Sequence, residues 1–139
     1  MEYEIEGNIL VAKLDHDEDF FGSLEKIMSE IEQRSAVVVT AIGMLKDFSL
    51  GFYNMETGEY EFKEYNEPME LVSVHGSITE EGSIHMHAQL ADENHQVHGG
   101  HLENGTVFNV NEITMLVFND LRMTRERDEK LDADLLSVK

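Results

Sequence analysis

The chain has no cysteine and a single proline, Pro68, among its 139 residues. Without cysteine there is no disulfide staple and no thiolate site, so any bound metal must rest on histidine, carboxylate or water. One proline with 41% hydrophobic residues excludes a disordered tail and describes an ordered globular chain. Basic residues are scarce: 10 Lys and Arg stand against 29 Asp and Glu, a net charge of -19. Such a chain repels a phosphate backbone unless its few cations are tightly grouped, so direct DNA binding is not expected. The acidity describes a solvated surface. No apolar run approaches the roughly 20 residues of a membrane helix. The opening Met1-Glu2-Tyr3-Glu4-Ile5-Glu6 has neither the basic nor the apolar region of a signal peptide. No membrane association and a cytoplasmic location are therefore expected. A glycine-rich phosphate loop, a nucleophile elbow and internal repeats are also missing, which sets those enzyme classes aside.

What remains suits one domain over residues 1–139, an α+β fold with a largely antiparallel, in part mixed, sheet and one main amphipathic helix. Asn8 to Leu14 alternates as a first strand, and Asp15 or Asp17 then caps a helix whose apolar stripe is Phe20, Phe21, Leu24, Ile27, Met28 and Ile31. Asp17-Glu18-Asp19 would occupy its first turn, favoured by the helix dipole. The β-branched run Ala36 to Ala41 predicts a central strand buried on both faces, broken or bent at Gly43. Phe48 to Tyr53 and Tyr60 to Tyr65 flank the turn-rich Asn54 to Gly58 as a hairpin. Met69 to Ile78 is a further strand, and Glu80-Glu81-Gly82 reads as a three-residue hairpin loop that sets His75 opposite His87 and Ser77 opposite His85. Asn104-Gly105 predicts a turn before a last long strand from Thr106 to Phe118. The charged tail from Asp120 ends in Leu135-Leu136-Ser137-Val138, which suits a short strand or a docking arm.

The chemistry concentrates in one glycine-punctuated segment, from which four of the chain's seven histidines, His85, His87, His98 and His101, stand out. On a strand, His85 and His87 share a face about 6.5 to 7 Å apart, a span that two imidazoles bridge onto one ion. His101 can supply a third ligand, but only if an odd loop or a bulge returns it with the same parity. A turn centred on Asn94 pairs His87 with His101, whereas a two-residue Glu93-Asn94 loop would place Met86 there, and Gly99-Gly100 offers a bulge. Three neutral imidazoles suit Zn²⁺ best and leave a fourth position open, while His98 should point away. A single surface histidine would not carry this reading; the trio favours a metal over three independent surface residues. His75 is either a fourth ligand or a partner of one, although a histidine on a half-polar sheet face is the plainer account. Glu112 stands amid apolar residues, and a buried carboxylate needs a partner: a zinc-bound water, a ligand imidazole, or Arg122 or Arg125.

The segment from His85-Met86-His87-Ala88-Gln89-Leu90-Ala91-Asp92 through Gly99-Gly100-His101-Leu102, Asn104-Gly105, Val107 and Glu112-Ile113 resembles the plants-and-prokaryotes conserved (PPC) domain. Weaker matches at Gly7 to Leu10, Val37 to Gly43, Gly76-Ser77-Ile78 and Arg125 extend the likeness over nearly the whole chain. The resemblance implies a compact α/β trimer, and a metal held by the histidines that fall here on His85, His87 and His101. Plant relatives carry AT-hook segments and a DNA-associated role, but no Arg-Gly-Arg-Pro occurs here, and Arg122, Arg125 and Arg127 lie among acids. The leading expectation is thus a stand-alone, zinc-binding oligomeric module with a regulatory or DNA-associated role as in the family. The alternative is a zinc-dependent lyase, decarboxylase or hydrolase acting on a small oxyacid, with Glu112 as general acid or base and a small carboxylate at the open metal position. Acetolactate decarboxylase is similar in using a three-histidine zinc site. His-x-His also suits a cupin, but Asp92 and Gly99 are poor substitutes for the glutamate and Pro-x-Gly that a cupin would show.

Overall fold

A computed structural model describes all residues, 1–139. The elements run β1 (Glu2–Glu6), β2 (Ile9–Asp15), α1 (Phe20–Glu30), β3 (Ser35–Asn54), β4 (Glu59–Tyr65), β5 (Met69–Ile78), β6 (Ile84–Ala91), β7 (Val97–Phe118), β8 (Met123–Asp128) and β9 (Ala133–Val138). Seven strands form one sheet in the order β1-β2-β7-β6-β5-β3-β4, and β8 and β9 form a separate hairpin. Every pairing is antiparallel, so the expected mixed component is not present. The one long connection, through α1, joins β2 to β3, and both of these pair with β7 rather than with each other. Because β7 also pairs with β3, the strands β3, β5, β6 and β7 close on themselves as a ring.

The ring has one lined side. Leu10, Leu14, Ala36, Leu45, Val74, Met86 and Ile113 turn inward with Phe20, Leu24 and Ile27 of α1 into a single cluster of 23 buried residues. Asp19, not Asp15 or Asp17, caps α1, accepting the Gly22 amide at 2.6 Å. The expected acidic first turn is therefore displaced ahead of the helix. Asp17 adopts a positive φ of 65° and pairs with Lys46 at 2.6 Å, while Glu18 accepts the Asp15 amide at 2.7 Å. No helix is long and apolar enough to cross a membrane.

Two strands are longer than their sequences suggest. The expected turn at Asn104-Gly105 is instead the middle of the 22-residue β7, and the 20-residue β3 absorbs both Ala36 to Ala41 and Phe48 to Tyr53. Register shifts opposite β7 take up the bend, one of them between Lys46 and Ser49, where Asp47 has φ 48°. Ala36 to Ala41 is also not buried on both faces: Ala36, Val38 and Ala41 are inside, whereas Val39 is 42% exposed. A lone helix covers only the inner side, and the outer faces of β2, β7 and β3 stay open within this chain. There Ile9, Val11, Val39 and Ile42 are all about half exposed, brought together because Ile9 and Val11 of β2 pair with Leu116 and Thr114, which in turn pair with Val37 and Thr40.

Candidate metal centre

Two odd loops set the geometry. Between β5 and β6 the Gly82 amide donates to the Thr79 carbonyl at 3.0 Å, and the Thr79 amide to the Ser83 carbonyl at 3.0 Å, with Gly82 at φ 83°. A glycine tolerates that left-handed backbone without strain. The resulting register is the expected one, His75 opposite His87 and Ser77 opposite His85. Between β6 and β7 the loop Asp92 to Gln96 has five residues, and it pairs His87 with His101. Asp92 organises this loop: its carboxylate accepts the Asn94 amide at 2.9 Å and the Gln96 amide at 3.0 Å, and lies 3.2 Å from His98 Nε2. Those bonds hold the Asp92 carboxyl below its ordinary range, led by the Gln96 amide. Sequence reasoning placed the turn but missed this residue; an Asp two and four residues ahead of the amides it accepts is the signal that could have found it.

The consequence is that three imidazoles meet on one face. Ring centres lie 5.3 Å apart for His85 and His87, 5.1 Å for His85 and His101, and 5.7 Å for His87 and His101. Their nitrogens fall within 4.8 Å of one another. Nitrogens bound to one zinc stand ~3.3 Å apart, so small ring rotations bring the set together. His98 turns to the other side, against Asp92 and the Tyr65 ring at 5.3 Å. His75 is exposed and is not among the converging residues. Glu112 is not either. It is exposed on the outer face, paired in register with Lys13 and Ile42, eleven positions along β7 from His101. Its apolar neighbours in sequence point inward, so the expected burial fails, and we assign it no part in this centre.

No bulge is needed at Gly99-Gly100, because β6 and β7 stay in step from Val97 to His101. Gly100 has a different purpose. A Cβ there would lie 2.6 Å from the carbonyl oxygen of Gly51, which is the β3 residue paired with His101. Gly51 is itself packed under the Phe62 ring, with only 2.7 Å for a Cβ. Gly100→Ala is accordingly expected to push β3 from β7 beside His101, costing about 1–3 kcal/mol of stability and weakening metal retention. Thermal unfolding and zinc titration of the variant check this; a protein as stable and as retentive as the original would contradict it.

The donor set fits a metal. Burial chiefly, then the neighbouring His101, Arg125 and His87 in that order, lowers the His85 pKa, and burial also lowers that of His101 against an opposing pull from Glu103. Both imidazoles are thereby kept neutral, the form that binds metal. His101 Nδ1 is buried without a hydrogen-bond partner, an unsatisfied polar atom beside two other imidazoles. On the other edge of the ring, His101 Nε2 stands 3.5 Å from Glu103, the carboxylate contact that commonly orients a metal-bound histidine. Tyr60 leans on His101 with ring centres 5.0 Å apart.

The family model described as the Plants and Prokaryotes Conserved (PCC) domain matches residues 1–119. Among solved structures, a protein from Ralstonia eutropha named "putative DNA-binding protein" is 29% identical, with a TM-score of 0.86 over 97% of this chain and 94% of that one. A metal-containing protein from Archaeoglobus fulgidus is 27% identical, with a TM-score of 0.81 over 97% of each chain. The bifunctional protein GlmU of a Synechococcus strain is 27% identical over 112 residues, which are 80% of this chain but 17% of that protein.

Proposed function

Since the chain belongs to the Plants and Prokaryotes Conserved domain family, whose model covers residues 1–119, we propose that it is a zinc-binding oligomeric module, with His85, His87 and His101 as the ligands and a position left open on the ion. The observation that carries this is the convergence of three imidazoles, two of them held neutral, on one sheet face. The relative from Archaeoglobus fulgidus, a metal-containing protein of the same fold, supports it. When bound, zinc would supply a Lewis acid at that face. The residues of this chain supply its seat: the two odd loops fix parity, Gly100 and Gly51 let the strands close, and Glu103 orients His101.

The DNA-binding name carried by the Ralstonia relative is not extended to this chain. Its net charge is -19, and two of its four arginines, Arg122 and Arg127, are matched with Glu80 and with Asp132 and Asp134. GlmU activity is likewise not transferred, because the match spans a small part of that protein.

We propose a closed trimer as the assembly. The support is the outer apolar patch of Ile9, Val11, Val39 and Ile42, which this chain leaves uncovered. A partner laid there would bury the second face of β3 that its β-branched sequence suits. One experiment tests both parts: native mass spectrometry of purified protein should show three chains of 15.9 kDa with one zinc each. A metal-free monomer would contradict both, and a zinc-loaded monomer would contradict the trimer alone.

A further inference from the structure

We propose that the cavity beside the histidine trio takes a small 2-hydroxy carboxylate, held between the metal and Arg125, and that Arg125 selects the carboxylate. This rests on the metal-centre reading above and names the ligand class of the same site. The cavity, of about 680 Å³, is lined by His85, His101, Tyr53, Tyr60 and Arg125, with Glu81, Asp132 and Asp134 also at its surface.

Charge is the first argument. Three neutral imidazoles leave both charges of a zinc ion uncompensated by its protein ligands, and Arg125 adds another positive charge in the same cavity. Glu103 lies beside His101, and Glu81, Asp132 and Asp134 line the cavity too, the last two held by Arg127. These acids offset the positive charge as a whole, so an anion is favoured only where it bridges the ion and the guanidinium directly.

The state of Arg125 is the second. In a chain where acids outnumber bases by 29 to 10, Arg122 and Arg127 each have a carboxylate partner. Arg125, half-buried, has a neutral one, the Ser77 hydroxyl at 3.1 Å. Ser77 is paired in register with His85, so this bond fixes the guanidinium over the metal strand. A guanidinium offers five donors in a planar fork matched to a carboxylate, and one hydrogen bond leaves most of them free. The β8–β9 hairpin that carries Arg125 is anchored to the sheet by the Met123 amide on Ser35 Oγ at 3.0 Å and the Glu80 amide on the Met123 carbonyl at 2.9 Å.

Coordination is the third. Zinc with three protein ligands accepts one further ligand and can expand to a fifth, which suits a carboxylate oxygen together with a neighbouring hydroxyl. The second carboxylate oxygen is then free for Arg125. Tyr53 and Tyr60 line the cavity and offer apolar surface to the carbon skeleton, and the cavity has room for one longer than that of lactate, which serves as the minimal probe.

The test is calorimetric titration of L-lactate into zinc-loaded protein, Arg125→Gln and Arg125→Lys, with lactamide and inorganic phosphate as comparisons and zinc content measured on every sample. Lactate should bind the zinc-loaded protein, about tenfold or more weakly after Arg125→Gln, with part of the loss restored in Arg125→Lys. Lactamide should bind at least about tenfold more weakly than lactate. Equal lactate affinity in a zinc-retaining Arg125→Gln, no lactate binding to zinc-loaded protein, or phosphate binding as tightly as lactate would overturn the proposal while the metal centre stands. Absence of zinc from the unaltered protein would overturn the metal centre and this inference together. Should Arg125→Gln fail to fold, the Arg125→Lys comparison and the lactate-to-lactamide ratio decide.

Discussion

His87→Ala folds normally and binds zinc at least about a hundredfold more weakly, because loss of a ligand must exceed the 10–100-fold cost of losing a mere partner of one. His87 is the right position to remove. It is the exposed member of the trio, so truncation opens no cavity in the core, and it contacts both of the others, with ring centres 5.3 and 5.7 Å away. The specificity of the effect is the stronger test. His95 sits in the β6–β7 loop at φ 61°, and His98 faces Asp92 and Tyr65, so alanine at either leaves the metal in place. Chelator competition with matched circular dichroism spectra reads both quantities. Full retention of zinc by His87→Ala would contradict the assignment, and so would loss of zinc in His98→Ala with the fold intact.

Acid should release the metal steeply, and at a lower pH than ordinary histidines would suggest. Each ligand must shed its proton to bind, so below the pKa of all three sites affinity falls by up to about a thousandfold per pH unit. Burial and neighbouring positive charge lower the His85 pKa, and burial that of His101, beneath the usual value of 6.5. Their neutral forms therefore persist below that value, and occupancy at moderate zinc should hold to about pH 6 and collapse beneath it. The metal-free chain follows the same sign. A histidine whose folded pKa is depressed contributes stability above 6.5, its unfolded value, and that contribution is lost as pH falls through the folded pKa. Zinc titrations and thermal unfolding between pH 5 and 8 check both; affinity that is flat across that range would mean that imidazoles are not the ligands.

Much of this was legible in the chain because parity is a property of sequence. Glu80-Glu81-Gly82 dictates its loop through a glycine at positive φ, and the register of His75 with His87 follows from counting. The same counting across Asp92 to Gln96 brings His101 to His87. Long-range bends were not legible. Asn104-Gly105 has the composition of a turn, yet β7 runs through it because paired register shifts take up the bend, one at Asp47 of β3 and one at Glu103 of β7. Glu112 misled for a related reason: its neighbours Ile113 and Met115 are buried, but strand alternation sends Glu112 itself outward. Tyr60 and Arg125 reach the histidine cavity from β4 and from the terminal hairpin, contacts that only the folded chain assembles. The uncovered face of β3 belongs with the proposed assembly, since a strand suited to burial on two sides finds only one within a single chain.

The central claim is a location, and anomalous diffraction at the zinc absorption edge from crystals of the zinc-loaded protein tests it most directly. The account predicts one strong peak per chain, within bonding distance of one imidazole nitrogen from each of His85, His87 and His101. A chain without a peak there, or with its strongest peak among surface carboxylates, would contradict it.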